Sequence, residues 1–340
     1  MRFYYQVYGL FISSNAGIPG LNAERVEKCK ADIKINLGFF PKDILRALTR
    51  PLVRYYLEPG HEKEAPPNLV VNTLADGQFF HFYYDGGAEF IIDKDATHAW
   101  GIWKAPLVLE DVALYLLGPI IGFMLRLRGT TCLHASGAVL NGQSFALTGP
   151  SGAGKSTLAA SLAADGYSVL TDDILPLTIE KDEIYTHSGY SRLRLFPNSF
   201  ENLQELPNSL PLLTPSWNKC YLDLASESFK LYKFPTILKV IYIIDWSMNN
   251  SVPLIESLEG ASALTFLAAN TYRNDLLSPE MRASEFVFLS QLLSRVKVKK
   301  LHTVNNISAV PQLRDLLLKD FRIETCGQNT SHLNLNKELC

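Results

Sequence analysis

One eight-residue motif constrains the fold of this 340-residue chain more than any other feature. It follows the pattern G-x-x-x-x-G-K-[ST], which forms a phosphate-binding loop between a strand and a helix. Its glycines let successive N–H groups point at phosphate oxygens, while the lysine reaches the β/γ-phosphates and the serine holds Mg²⁺. The predicted nucleotide-binding residues are Gly149, Pro150, Ser151, Gly152, Ala153, Gly154, Lys155, Ser156 and the following Thr157.

The residues around the motif supply the strand and the helix that such a loop requires. Residues 143–148 are a short apolar run after the Asn-Gly dipeptide at 141–142, which favours a two-residue hairpin turn and a preceding strand over 132–140. Residues 156–165 are rich in alanine and end at Gly166, as a helix with a glycine C-cap does. The alternative, a glycine-rich structural turn, lacks this context.

Two adjacent carboxylates follow a second β-prone run. Residues 167–171 are followed directly by Asp172 and Asp173, which is the arrangement of a Walker B strand. One carboxylate at such a strand end can orient Mg²⁺, and a second can accept a proton from an attacking hydroxyl. The alternative is that one of the two only caps the next turn.

The run from His134 through the loop to Asp173 resembles the catalytic core of the HPr kinase/phosphorylase family. The order and spacing of the histidine, the loop lysine and the Asp-Asp pair are kept. The resemblance implies ATP and Mg²⁺ as cofactors, with His134, Asp172 and Lys155 as catalytic residues. It implies Asp172 as the base toward an acceptor serine and Asp173, with Ser156, near the metal. Taken alone, a histidine on an apolar strand is more often a structural residue.

Downstream, residues 189–197 depart from that family. Its Glu-x-Arg-Gly signature is absent, and the chain reads Arg-Leu-Arg-Leu-Phe-Pro from Arg192. This form, with the N-terminal run Tyr-Tyr-Gln-Val-Tyr-Gly-Leu, resembles the HPr kinase-like enzymes of lasso-peptide clusters. Those tailoring enzymes phosphorylate the C-terminal serine of a ribosomally made precursor peptide, and the resemblance implies such a peptide as partner and substrate.

Three cationic residues are candidates for substrate binding. Arg192 and Arg194 alternate in an extended segment, so both guanidinium groups lie on one face and could grip a phosphate or a carboxylate. Solvated arginines that protect a sheet edge are the alternative. Lys219 is a weaker candidate, because an ordinary surface lysine is at least as common.

The patterning predicts an α/β fold, a P-loop kinase core like the C-terminal domain of HPr kinase, preceded by a β-rich N-terminal domain. Residues 1–104 carry β-like runs, such as 2–13, separated by glycine turns. Residues 105–326 form the catalytic domain, which begins with a buried linker helix over the uncharged stretch 112–125, and 327–340 form a flexible tail.

Further along the chain, the apolar run 238–245 predicts a strand buried on both faces. Its last residue, Asp245, is either part of the metal shell or a turn acid at the strand end. Residues 261–272 and 284–295 predict helices.

Composition excludes several classes of protein. A formal net charge of −2 argues against a general nucleic-acid binder, and the uncharged stretch is shorter than the roughly 20 residues that cross a bilayer. The 5 cysteines form no C-x-x-C pair, which indicates a reducing, cytoplasmic setting, and the histidines show no zinc or iron spacing. A homo-oligomer is left open.

These observations together predict an ATP- and Mg²⁺-dependent kinase that transfers the γ-phosphoryl group to a peptide serine. Two alternatives are a small-molecule kinase for a sugar or nucleoside hydroxyl, and a non-enzymatic nucleotide sensor. The Asp-Asp pair favours chemistry over sensing.

Overall fold

The computed structural model describes residues 1–58, 68–200, 206, 209–215, 217–246, 253–303 and 307–333. These residues form a mixed α/β structure with two large sheets and a two-stranded ladder. The strands are β1 Phe3–Val7, β2 Leu10–Ser14, β3 Ile33–Leu37, β4 Val53–Leu57, β5 Leu69–Leu74, β6 Phe79–Tyr84, β7 Ala88–Asp93, β8 His98–Trp103, β9 Thr131–Leu140, β10 Gln143–Thr148, β11 Ser168–Thr171, β12 Ile174–Glu180, β13 Glu183–Thr186, β14 Arg192–Leu195, β15 Cys220–Asp223, β16 Thr236–Asp245, β17 Leu254–Ser257 and β18 Lys297–His302. The α-helices are α1 Lys42–Leu48, α2 Leu109–Tyr115, α3 Ile121–Leu127, α4 Lys155–Ala164, α5 Gly260–Ala269, α6 Pro279–Leu293 and α7 Val310–Leu333.

The first eight strands form one sheet in the order β1-β2-β3-β8-β7-β6-β5-β4. Strands β4 to β8 run antiparallel in sequence order, as the glycine turns predict, while β3 is parallel to both β2 and β8. The predicted single run over residues 2–13 is wrong. It is a hairpin of β1 and β2, because Tyr8 and Gly9 both have positive φ (58° and 77°), the conformation of a tight two-residue turn.

The second sheet carries the predicted phosphate loop at the carboxyl ends of its parallel strands. Strand β10 is parallel to β16, which is parallel to β18, and β10 forms the predicted hairpin with β9. Strand β9 also pairs with β11 and β12. In sheets with parallel strands, ligands bind outside the carboxyl ends, so the chain after β10 lies where a ligand site is expected.

The predicted linker helix over 112–125 is buried but not continuous. Helices α2 and α3 are joined by a π-helical turn, Leu116–Ile120. Pro119 has no N–H to donate, and Gly118 leaves helical geometry with φ −95° and ψ −105°. Side chains of this helical segment pack in one core with the first sheet and with Tyr272. It therefore connects the first sheet to the second half of the chain.

A buried ion pair ties the helical segment to α6. Arg126, at the end of α3, pairs with Glu285, and both side chains are almost fully buried. Glu285 also accepts a hydrogen bond from the Thr271 hydroxyl at 3.1 Å. Because each buried charge has its partner, removal of either one would leave the other uncompensated. The pair fixes the chain just before Tyr272.

The C-terminal end of the described chain is helical. Helix α7 packs on β10, where the Phe321 and Phe145 ring centroids are 4.9 Å apart, and it continues to Leu333. The first part of the predicted tail, 327–333, is helical, and 334–340 lie outside the described residues. No helix in the described ranges is both long and apolar enough to cross a membrane.

Stability should depend on the protonation of Glu24, which joins the first sheet to β14. Its Oε1 accepts a hydrogen bond from the Ser191 amide at 2.8 Å, and its Oε2 is buried without a partner among the described residues. Burial raises the pKa of Glu24 from 4.5 to about 7. The folded protein then holds a proton that the unfolded chain has released, so the free energy of unfolding falls as pH rises through 7.

We expect this loss to reach about 3 kcal/mol between pH 5 and pH 8, and Glu24→Gln to abolish it. Urea unfolding of both proteins at the two pH values measures the difference. Parallel stability profiles would show that Glu24 titrates normally.

Candidate phosphoryl-transfer site

The loop after β10 lies between a strand and a helix, as a phosphate-binding loop requires. Gly149 has φ 143°, and a Cβ atom there would lie 2.8 Å from the carbonyl oxygen of Ile244, so no larger residue fits. Gly154 begins α4 in the left-handed region with φ 92°. The loop therefore leads into the N-terminus of a helix, whose free N–H groups favour anions.

Lys155 lies inside the loop. Its side chain is buried, and Nζ donates hydrogen bonds to the carbonyl oxygens of Gly149 at 2.8 Å and Pro150 at 3.1 Å. Burial lowers the pKa of Lys155, while Asp172 and Asp173 oppose that shift. The loop thus holds a cation at its centre with two carboxylates nearby.

Asp172 is hydrogen-bonded to the loop and to the strand beside it. Its Oδ1 accepts from the Ser156 hydroxyl at 2.8 Å and from the Ser136 hydroxyl at 2.7 Å, and its Oδ2 accepts from the Arg194 amide at 3.0 Å. Ser136 was not predicted, although it lies two residues after His134 on the same face of β9. These three hydrogen bonds fix the Asp172 carboxylate beside Ser156.

Asp173 faces a different set of groups. It forms an ion pair with Arg194, lies 3.6 Å from His134 Nε2, and accepts from the Tyr272 hydroxyl at 3.4 Å. Burial alone would raise its pKa, but the positive Arg194 guanidinium, followed by His134, outweighs burial and the pKa is lowered. Its φ of 78° is unusual for a residue other than glycine and is found at functional sites.

His134 and Tyr272 are brought together by pairing of distant segments. The His134 amide donates to Asn270, and the Tyr272 amide donates to Cys132, so the chain after α5 runs beside β9. Burial lowers the pKa of His134, and Lys155 contributes in the same direction. Tyr272 was not predicted, since no local pattern places a residue so far along the chain beside Asp173. The His134 ring faces Asp173.

The two predicted arginines share a face of β14 but have different partners. Arg194 binds Asp173, whereas the Arg192 guanidinium lies over the Tyr221 ring, 4.1 Å from its centroid. Lys219 Nζ lies 4.4 Å from the centroid of the Phe196 ring. Burial, and then Arg194, lower the pKa of Lys219. Arg194 and Lys219 are thus placed at the site, and Arg192 contacts a neighbouring strand.

A cavity of about 200 Å³ collects most of the predicted residues. Its described lining does not include Gly149, Pro150 or Arg192, and Asp245 is instead paired with Lys300 at 2.7 Å. The predicted residues that line it are His134, Ser151, Gly152, Ala153, Gly154, Lys155, Ser156, Thr157, Asp172, Asp173, Arg194 and Lys219. Phosphate-binding groups, carboxylates and cations therefore share one small space.

The oxygen atoms at this site suit Mg²⁺ better than they suit a metal whose ligands all come from protein side chains. In the described ranges no three His, Cys, Asp or Glu side chains gather as a metal site. The Ser156 hydroxyl and the Asp172 carboxylate lie side by side, and Mg²⁺ takes oxygen ligands, keeps several waters and completes its shell with substrate phosphates.

No protein-family model and no curated protein matches this chain. Among solved structures, the chain is similar to the Hpr(Ser) kinase/phosphatase from Coxiella burnetii, with 12% sequence identity and a TM-score of 0.33, over 57% of this chain and 97% of that chain.

Proposed function

We propose that this chain is an ATP- and Mg²⁺-dependent kinase that phosphorylates a serine hydroxyl of a peptide, the C-terminal serine of a lasso-type precursor. One observation carries the proposal. The cavity that contains Lys155 of the phosphate loop also contains Asp173, a carboxylate that is separate from the Ser156–Asp172 pair. A nucleotide sensor needs Lys155 to bind phosphate, but it does not need a further carboxylate such as Asp173.

The residues divide the work of phosphoryl transfer among them. The loop amides and Lys155 bind the β- and γ-phosphates and stabilise charge that develops on the migrating group. The serine oxygen forms a bond to the γ-phosphorus, the bond to the bridging oxygen breaks and ADP leaves, while the hydroxyl proton passes to Asp173. Ser156 and Asp172 would hold Mg²⁺, which supplies further charge neutralisation.

This assignment exchanges the roles that the family resemblance implies for the two aspartates. The resemblance makes Asp172 the base and Asp173 the metal residue. Asp172, however, is hydrogen-bonded to Ser156, the residue expected to bind the metal. Asp173 instead contacts His134 and Arg194. A carboxylate with a lowered pKa remains ionised at neutral pH, so it can orient the hydroxyl and accept its proton.

Two cations support a peptide terminus as the acceptor. Arg194 and Lys219 both line the cavity beside the aspartates. A C-terminal serine carries a carboxylate within one residue of its hydroxyl, and guanidinium and ammonium groups bind carboxylates through charge-assisted hydrogen bonds. A sugar or nucleoside hydroxyl offers no such anion.

The test is a transfer reaction followed by mass spectrometry. The protein is incubated with Mg-ATP and the small serine-terminated precursor peptide that the lasso-peptide resemblance predicts beside its gene. We expect the peptide to gain a phosphate, and to gain none when its terminal serine is alanine. Nucleotide binding with no phosphopeptide would remove the peptide proposal and favour a small-molecule acceptor or a sensor.

A further inference from the structure

Two aromatic residues pack against each other, and one of them is close in the chain to a residue that lines the cavity. The rings of Tyr115, at the end of α2, and Trp217 meet edge to face, with centroids 6.4 Å apart. Trp217 is 36% exposed and lies two residues before Lys219, which lines the cavity. An exposed tryptophan paired with a half-buried tyrosine presents apolar surface next to the charged site.

The first sheet holds this aromatic pair in place. Tyr115 packs against Tyr84 of β6, with ring centroids 4.3 Å apart. Its hydroxyl lies 3.9 Å from where a Cβ atom would stand on Gly86, in the turn between β6 and β7. The first sheet thus positions Tyr115, although its strands carry no predicted site residue.

The helical segment connects the aromatic pair to Asp173. A Cβ atom on Gly118 would lie 3.9 Å from Asp173 Oδ2, and Tyr115 ends α2 three residues before Gly118. Three helical residues advance about 4.5 Å, so the Tyr115 backbone lies about one turn from the point at which this segment approaches Asp173. A bound serine hydroxyl would lie about 3 Å from the carboxylate, and an extended peptide advances about 3.3 Å per residue, so about two residues would bring a side chain near Tyr115.

We propose that Tyr115 and Trp217 form a subsite for an apolar side chain two residues before the phosphorylated serine. The inference rests on the proposed peptide kinase function. It adds which residue of the peptide the enzyme recognises. The occupant is a peptide because the site has cations at one end and aromatic rings at the other. That order matches a chain whose terminal carboxylate follows an apolar residue.

A set of short peptides tests the position of this subsite. The probes are Gly-Gly-Phe-Gly-Ser, the all-glycine peptide Gly-Gly-Gly-Gly-Ser, and two peptides with phenylalanine moved to Gly-Phe-Gly-Gly-Ser and Gly-Gly-Gly-Phe-Ser. Binding is measured by calorimetry with Mg-ADP present, and initial rates are measured with Mg-ATP. We expect Gly-Gly-Phe-Gly-Ser to have a Kd and KM about tenfold below those of the all-glycine peptide, with kcat within about twofold.

Variants of Trp217 separate the subsite from the catalytic groups. Trp217→Ala should remove the preference for phenylalanine, whereas Trp217→Phe, which keeps a ring, should retain most of it. Both should bind Mg-ADP like the unaltered protein, since the phosphate loop is untouched.

Equal binding of all four peptides, no binding of any, or a preference that survives Trp217→Ala would each overturn the subsite. A Trp217-dependent binding preference with no phosphate transferred would instead uphold the subsite and overturn the kinase proposal. The two failures are thus distinguished by calorimetry and mass spectrometry.

Discussion

Asp173→Asn is expected to lower kcat for phosphoryl transfer by about 10²–10⁴-fold and to leave the Kd for Mg-ADP unchanged. The amide cannot take the hydroxyl proton, but asparagine tolerates the positive φ at this position, so the backbone is kept. It also retains an oxygen that can accept from Arg194. Initial rates with Mg-ATP and the peptide, together with calorimetry of Mg-ADP, measure the two effects.

Asp172→Asn is the matched variant, because it changes the neighbouring carboxylate by the same single group. It should weaken nucleotide binding measured with Mg²⁺ and have little effect on binding measured with EDTA, since Asp172 lies at Ser156. If Asp172→Asn instead abolished transfer with normal Mg-ADP binding, and Asp173→Asn turned over normally, the roles implied by the family resemblance would hold.

Lys155→Ala is the second large effect, and it should reduce both nucleotide affinity and rate. The variant removes the cation at the centre of the loop, which would contact the β/γ-phosphates in both ground and transition states. We expect kcat/KM for ATP to fall about 10²–10³-fold or more. Normal ADP affinity with a normal rate in Lys155→Ala would contradict the assignment of the loop.

Lys219→Ala provides the control, because this lysine lines the same cavity but lies outside the loop. It should leave the Kd for Mg-ADP unchanged and raise KM for a peptide with a free terminal carboxylate. An amidated peptide removes that carboxylate, so Lys219→Ala should have little effect on its KM. Equal losses of nucleotide affinity in both variants would show a general effect of positive charge rather than a phosphate loop.

Local sequence patterns predict the elements around the loop because each depends on neighbours within a few residues. The β9–β10 hairpin follows from its Asn-Gly turn, with φ 53° and 75°, and α4 follows from the alanine-rich run before Gly166. The same local reasoning fails at the linker helix, where Gly118 and Pro119 interrupt an apolar run that looks continuous. It also misses the β1–β2 turn, since Tyr8 is not a residue that indicates positive φ.

The sequence by itself determined the phosphate loop, its lysine and serine, and the pair of aspartates that follows. These residues are close together in the chain, so their spacing alone identifies the groups that can bind phosphate and metal. Only the tertiary structure decided what each aspartate faces. Asp172 contacts Ser156, whereas Asp173 contacts Arg194 and Tyr272, which reach it from distant segments. Adjacent residues point in different directions from the backbone, and the groups that they meet depend on how sheets and helices pack. The hydrophobic periodicity of the sequence indicates helices and strands, but it does not indicate how they pack against one another.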